Sequence, residues 1–141
     1  MSIVTAVLFS GCASTTQGGV VGANRTQLLT VSEATMNQSA NLAYADTLKQ
    51  ATASKTLNTD KTQTTRVKNI SNKLIAQVGN FREYALKWDW QVNVINDKTI
   101  NAWCMPGGKI AVYTGIINSL SLTDDELAGV IGHEIAHALR E

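Results

Sequence analysis

Residues 123–141 read TDDELAGVIGHEIAHALRE, and this stretch decides the fold. Thr123 and Glu126 have the spacing of a capping box, in which each side chain accepts a hydrogen bond from the other residue's backbone amide. Beyond the cap, turning about 100° per residue gathers the apolar side chains on one broad face. That face consists of Leu127, Ala128, Ile131, Ile135, Ala138 and Leu139. The sequence therefore predicts a long amphipathic helix that begins at Asp124.

His133 and His137, the only two histidines of the chain, fall close to the side opposite this apolar face. They are one helical turn apart, so both imidazoles can bind one ion, each through a nitrogen at about 2.0–2.1 Å. Glu134 lies on the flank, from where its carboxylate can reach a water beside that ion. His-Glu-x-x-His on a helix is the spacing that this metal chemistry requires. The alternative is that these are two surface or core histidines that happen to lie four positions apart. The capped helix and the preceding hairpin argue against it.

Upstream of this helix, the hydrophobic period changes from that of a helix to that of a strand. Three runs alternate in this way: Val92 and Val94; Ile100, Ala102 and Cys104; Ile110, Val112 and Thr114. The sequence Pro106-Gly107-Gly108 lies between the last two runs and indicates a turn. We therefore expect a small antiparallel sheet with a hairpin from about Ile100 to Thr114.

Two further helices are predicted before the strands, which makes the fold class α+β. The first runs from Ser32, its N-cap, to about Lys55, because the stretch is Ala-rich, free of proline and apolar at helical spacing. The second carries one apolar stripe formed by Val67, Ile70, Leu74 and Val78. Gly79 and Asn80 mark its end or a kink.

The blocks NAWCMPGGKIAVYTGII (residues 101–117) and DELAGVIGHEIAHA (residues 125–138) together resemble metallopeptidase family forty-eight. These zinc-dependent gluzincins include the HtpX-, BepA- and LoiP-like bacterial proteins. The resemblance runs from about Asn101 to the last residue, and more loosely back to the helix near Val67. It implies a zincin-like fold built around a long active-site helix.

The resemblance also implies the activity of a zinc-dependent metalloendopeptidase with one Zn²⁺ per chain. His133 and His137 are then the metal ligands, and Glu134 is the general base that moves a proton from the attacking water to the leaving amine. An unfolded or misfolded protein would be the substrate, added as an extra strand along the hairpin. Which strand offers its edge stays open here. The residues assigned to substrate binding are Asn101, Ala102, Trp103, Gly107 and Gly108.

A catalytic zinc has three protein ligands, whereas this chain offers two. Glu141 cannot be the third, because it lies about 12 Å beyond His133 along the helix axis. In the family the third ligand is a glutamate on a later helix. We therefore expect residues 31–141 to be the N-terminal part of a longer peptidase domain, with weak zinc binding and little hydrolysis alone. The alternative is a non-catalytic envelope lipoprotein, a chaperone or assembly factor, or a decayed peptidase.

The first 30 residues predict export and lipid anchoring. Residues 3–9 (IVTAVLF) have the length of a signal-peptide core, and LFSGC at residues 8–12 resembles the bacterial lipobox. We expect a signal peptide over residues 1–11, acylation of Cys12 and a flexible tether over residues 12–30. The protein would then face the periplasm, with the outer membrane favoured because Ala13 rather than Asp follows the cysteine. A buried strand that ends in an ordinary cysteine is the alternative.

The composition argues against nucleic acid as a partner. The 12 Lys and Arg residues are scattered, the formal net charge is +1, and no basic stripe with interleaved aromatics is present. The membrane, through the lipid anchor, and the protein substrate are the expected partners. With Cys12 acylated, Cys104 has no intramolecular disulfide partner, and we expect it to serve in packing.

Overall fold

The computed structural model describes residues 31–140, which form four α-helices and one three-stranded sheet. The helices are α1 (Glu33–Ala53), α2 (Lys61–Ile75), α3 (Thr114–Leu120) and α4 (Asp124–Arg140). The strands are β1 (Gln91–Ile95), β2 (Ala102–Met105) and β3 (Lys109–Tyr113), and two 3-10 turns, Val78–Asn80 and Glu83–Lys87, join α2 to β1. The predicted α+β class is confirmed. The predicted signal peptide, Cys12 and the tether lie outside the described residues.

The sheet is mixed rather than antiparallel, with strand order β1-β3-β2. Strands β2 and β3 form the expected antiparallel hairpin, with Ala102 opposite Val112. Strand β1 instead runs parallel to β3, with Val92 opposite Ile110, so the antiparallel prediction is wrong for this strand. The physical reason is the central place of β3, four of whose five residues are buried. Strands β2 and β3 each reverse the direction of the chain, so β3 runs in the same direction as β1 and lies beside it.

Successive residues of the strands point to opposite faces of the sheet, and the two faces carry separate cores. The large face packs against α2 and α4, and its buried residues are Val94, Ala102, Ile110 and Val112. The small face packs against α1 and consists of Ile95, Trp103, Ala111 and Tyr113. The helix that carries both histidines therefore lies on the large face.

The helix ends of the N-terminal half are set by local hydrogen bonds. The Ser32 hydroxyl accepts from the Thr35 amide at 3.2 Å, which confirms the predicted cap of α1. Helix α2 is capped by Asp60, whose carboxylate accepts from the Gln63 amide at 3.0 Å. The predicted break after α2 is confirmed, because the 3-10 turn contains Gly79. No helix within residues 31–140 combines the length and the apolarity needed to cross a bilayer.

Helix α3 was not predicted, because Thr114 looks like the last residue of a strand. Its hydroxyl instead bonds the preceding loop, donating to the Asp97 carbonyl oxygen at 3.1 Å and accepting from the Asp97 amide at 3.1 Å. A Cβ at Gly115 would collide with the carbonyl oxygens of Lys98 and Thr99, so the chain turns away from the sheet at this glycine. Ile100, which was expected in the hairpin, is exposed and lies outside β2.

Candidate metal centre

The start of α4 is fixed by the predicted capping box. The Thr123 amide donates to Glu126 Oε2 at 2.8 Å, and the Glu126 amide donates to Thr123 Oγ1 at 3.4 Å. The Thr123 amide, and then its hydroxyl, hold the pKa of the Glu126 carboxyl below its ordinary value. These bonds satisfy amides that a helix N-terminus otherwise leaves without partners.

A second contact, which the sequence did not reveal, ties α2 to the beginning of α4. Arg66 Nε lies 2.6 Å from Asp124 Oδ1, and Arg66 Nη2 donates to the Leu122 carbonyl oxygen at 2.7 Å. One guanidinium thus bonds both the residue before the cap and the first residue of the helix. Because the partners are 56 and 58 residues apart in the chain, no local pattern could have indicated this contact.

The rotation of α4 about its axis follows from its apolar face. Five residues of this face are buried: Leu127, Ile131, Ile135, Ala138 and Leu139. Gly132 faces α2, where a Cβ would have the Leu74 side chain 3.8 Å away. With that face held against α2 and the sheet, the opposite side of the helix is exposed, and both His133 and His137 are exposed there.

The two imidazole side chains lie in direct contact. Nε2 of His133 and Nε2 of His137 are 3.0 Å apart, with ring centroids 4.5 Å apart and ring planes at 87°. Two nitrogens bound to the same tetrahedral ion at 2.0–2.1 Å would be about 3.3 Å apart, so the observed separation fits a shared ion. Neutral imidazole nitrogens are also the donors that zinc prefers together with thiolates and carboxylates.

Glu134 follows His133 directly and is half-buried on the flank of the helix, as the helical spacing predicted. Within residues 31–140 no group of three His, Cys, Asp or Glu side chains is arranged to hold a metal ion. The part of the chain that the structure describes therefore supplies two imidazole donors and one neighbouring carboxylate. The assignment of these three residues to metal binding and catalysis stays a prediction.

Strand β2 forms the outer edge of the sheet on the side where it packs against α4. The Tyr113 amide donates to the Asn101 carbonyl oxygen at 3.1 Å, so the alternation of the ladder directs the main-chain groups of Ala102 away from β3. The other outer strand, β1, is covered, because the Asn58 amide donates to the Val94 carbonyl oxygen at 2.7 Å. Of the two hairpin strands, β2 is thus the one at the edge.

The side chains assigned to substrate binding occupy different environments. Ala102 is buried in the large-face core, and the Trp103 ring packs edge-on against Tyr44 at a centroid distance of 5.7 Å. Gly107 and Gly108 form the hairpin turn with φ of 81° and 84°, a conformation that favours glycine. Asn101 is exposed beside the edge strand. The structure gives these residues packing and turn roles, and their contact with a substrate stays a prediction.

Comparison with known proteins gives a consistent set of similarities. The model of peptidase family M48 matches residues 61–141. The metalloprotease LoiP of Escherichia coli (strain K12) is 27% identical over 140 residues, which is 97% of this chain and 50% of that protein. The mitochondrial metalloendopeptidase OMA1 of Arabidopsis thaliana is 50% identical over 50 residues, which is 36% of this chain and 10% of that protein.

The metalloprotease YcaL of Escherichia coli (strain K12) is 42% identical over 38 residues, which is 27% of this chain and 14% of that protein. No solved structure matches. The chain spans about a tenth of the OMA1 relative and half of LoiP.

Proposed function

The chain belongs to peptidase family M48, and from this premise we propose that it acts as a zinc-dependent metalloendopeptidase. The observation that carries the proposal is the pair of exposed imidazoles, His133 and His137, whose Nε2 atoms are 3.0 Å apart on one helix. The relatives OMA1 and LoiP, which are named as a metalloendopeptidase and a metalloprotease, support it.

The chemistry divides among three neighbouring residues of α4. His133 and His137 would hold Zn²⁺, which supplies a Lewis acid for the scissile carbonyl and lowers the pKa of the attacking water. Glu134 would accept the proton of that water and deliver it to the leaving amine. Glu134 directly follows His133 on a helix whose other face is buried, so the helix fixes its backbone position relative to both histidines.

We further propose that the third zinc ligand is a carboxylate outside residues 31–140, as the family resemblance implies. Two imidazoles alone would hold zinc more weakly than the three protein ligands of a catalytic site. The metal would then be bound firmly only when that third residue is present in the same molecule.

The substrate would be an extended segment of an unfolded or misfolded envelope protein, paired with the edge of β2. Main-chain hydrogen bonds along an edge strand need no particular side chains, so this mode accepts many sequences. Supporting it, β2 packs against α4, while the other outer strand of the sheet is covered by residues 56–58.

The location would be the bacterial cell envelope, with the protein anchored through acylated Cys12 and facing the periplasm. The lipobox-like LFSGC at residues 8–12 supports this, and Ala13 favours the outer membrane over the inner membrane. In cells, the wild-type protein should be found in the membrane fraction and a Cys12→Ala variant in the soluble fraction. Equal distribution of the two would contradict the anchor.

The catalytic proposal is tested by separating metal binding from hydrolysis in the full-length protein that carries the proposed third ligand. Glu134→Gln should retain zinc, measured by calorimetric titration, while casein hydrolysis falls to background. His133→Ala and His137→Ala should each lose zinc binding. Glu83→Gln makes the same chemical change at an exposed glutamate on another segment and should behave as wild type. Casein hydrolysis that survives Glu134→Gln, or a chelator, would overturn the assignment.

A second candidate, a non-catalytic envelope chaperone or assembly factor, is favoured by one observation: the described residues supply only two arranged metal donors. In that case, suppression of aggregation of an unfolded outer-membrane protein would be unaffected by Glu134→Gln and by a chelator. The zinc titration and the casein assay on the same samples distinguish the two candidates.

A further inference from the structure

A cluster of exposed apolar side chains lies in the connection between α2 and β1. Phe81, Tyr84 and Leu86 are 54%, 39% and 51% exposed, and we call these three residues the apolar patch. Large apolar side chains exposed singly are ordinary on protein surfaces, whereas three exposed within six residues of chain are a candidate for an interaction site. None of the three takes part in the zinc chemistry proposed above.

The patch is held in place by its own packing. Leu86 lies against Gly79, where an added Cβ would come within 2.7 Å of Leu86 Cδ1. The Tyr84 ring packs against Trp88 at a centroid distance of 6.2 Å, and the Arg82 guanidinium lies 5.4 Å from the Tyr84 ring centroid. The apolar patch is thus an ordered surface of the folded domain.

The patch lies at the end of the molecule where the chain enters α1. Burial raises the pKa of Tyr84; Arg82 lowers it, and the carboxylate of Glu33, in the first turn of α1, raises it further. Val31, which precedes the α1 cap, is also exposed. The predicted tether would join the domain at Val31, at the beginning of α1.

Direct contacts place the beginning of α1 at the same end of the domain as the apolar patch. Asn37 in α1 lies next to Gly107 of the hairpin turn, and Trp90 lies against the adjacent Gly108. The ring centroids of Trp90 and Trp88 are 5.5 Å apart, and the Trp88 ring in turn packs against Tyr84. One end of the domain thus contains the beginning of α1, the hairpin turn and the segment with Tyr84, Trp88 and Trp90.

The charge of this segment selects the kind of partner. Residues 81–90 read FREYALKWDW, with two basic and two acidic residues, so their charges cancel. An anionic partner would gain little from a segment with balanced charge. Tyrosine and tryptophan are the residues enriched where proteins meet the headgroup region of a bilayer, because they present an apolar body and a polar tip.

We propose that the apolar patch docks the domain on the lipid bilayer, with the beginning of α1 facing the membrane. The choice of a bilayer as partner rests on the proposed anchor at Cys12, since a tether that enters beside the patch would hold it close to the lipid surface. Docking is then intramolecular, and a patch with weak affinity is sufficient. The result is a fixed orientation of the domain on the membrane.

The test uses residues 12–141 with Cys12→Ala, so that neither acylation nor the predicted signal peptide contributes, and phosphatidylcholine vesicles with brominated acyl chains. Emission from Trp88 and Trp90, which adjoin the patch, should be quenched by the vesicles. The double variant Phe81→Ser/Leu86→Ser should partition about tenfold more weakly, because it loses two apolar side chains that enter the interface. Leu42→Ser, at an exposed leucine of α1, is the matched control and should leave partitioning unchanged.

Three results would overturn the proposal. The first is equal partitioning of the double variant and the Leu42→Ser control, with both shown to be folded by near-ultraviolet circular dichroism. The second is binding that requires anionic phosphatidylglycerol and disappears at high salt. The third is a double variant that partitions normally but no longer binds unfolded casein, which would assign the patch to protein substrates. Mass spectrometry of the wild-type protein tests acylation of Cys12 separately, so failure of the anchor is distinguishable from failure of the patch.

Discussion

The two faces of the sheet are built differently. The large face packs aliphatic side chains against α2 and α4, with Ile110 and Val112 at its centre. The small face packs against α1, where Ala111 leaves room for larger aromatic rings and the Tyr44 hydroxyl bonds the sheet. The difference teaches that the position of the histidine-bearing helix depends on apolar burial, whereas the position of α1 depends in part on buried hydrogen bonds.

The polar contact on the small face centres on Tyr44. Its hydroxyl donates to the Ile110 carbonyl oxygen at 2.8 Å and accepts from Asn93 Nδ2 at 2.8 Å. Burial raises the pKa of this phenol, although its hydrogen bond with Asn93 acts in the opposite direction. The phenol therefore stays protonated and able to donate at all ordinary pH values.

The largest expected effect comes from the large face. Ile131→Ala should lower the free energy of unfolding by about 2–5 kcal/mol, because it leaves a cavity between α4 and the sheet. Urea denaturation followed by circular dichroism measures the change. Leu42→Ala, at an exposed position of α1, should cost less than about 0.5 kcal/mol. Similar losses for both variants would mean that α4 is not held by burial.

A smaller effect is expected on the small face. Tyr44→Phe should lower the free energy of unfolding by about 1–3 kcal/mol, because the Ile110 carbonyl and the Asn93 amide each lose a partner. Tyr113→Phe, on the same face, is the control for the loss of a phenol hydroxyl alone. If Tyr44→Phe were neutral in the same denaturation assay, the Tyr44 hydrogen bonds would contribute nothing to stability. The small face would then be held by apolar burial, like the large one.

Capping of α4 should contribute less than either core. Thr123→Ala removes the hydroxyl that accepts from the Glu126 amide and should cost about 1 kcal/mol of unfolding free energy. Thr123→Ser keeps the hydroxyl and should retain most of the stability. A Thr123→Ser variant as unstable as Thr123→Ala would show that the methyl group, and not the cap, is what stabilises this end of the helix.

The smallest effect is a pH dependence of the same cap. The pKa of the Glu126 carboxyl is lower in the folded protein than in the unfolded chain. Its contribution is therefore fully present above its ordinary pKa of about 4.3 and is lost as the pH falls from there through the folded-state value. Thermal melts between neutral and acidic pH should show a smaller decrease in Tm for Glu126→Gln than for wild type. Parallel decreases would contradict the assigned hydrogen bonds.

What the sequence predicted well is local. The cap of α4, its buried face and the contact between His133 and His137 all depend on residues three or four apart, where helix geometry alone fixes the contacts. The N-cap of α1 at Ser32 and the break at Gly79 were also predicted from local sequence.

The features that the sequence did not predict depend on contacts between residues far apart in the chain. The parallel pairing of β1 with β3 follows from the strand order, in which β3 lies between β1 and β2, and alternation within a single strand does not encode that order. Helix α3 begins where Gly115 lies against the loop at residues 98–99. The hydrogen bond from Arg66 to Asp124 joins residues 58 positions apart. Neither feature has a short-range signature.

His133 and His137 are exposed on the face of α4 away from the core, and this has a practical consequence for the proposed zinc site. The helix is held by residues on its other side, so the proposed ion would not be needed to form it, unlike the zinc of a zinc finger, whose binding is coupled to folding. Such an ion would be removable and exchangeable in the folded protein. Cobalt, which is coloured where zinc is silent, could then report on the coordination of the site by visible spectroscopy.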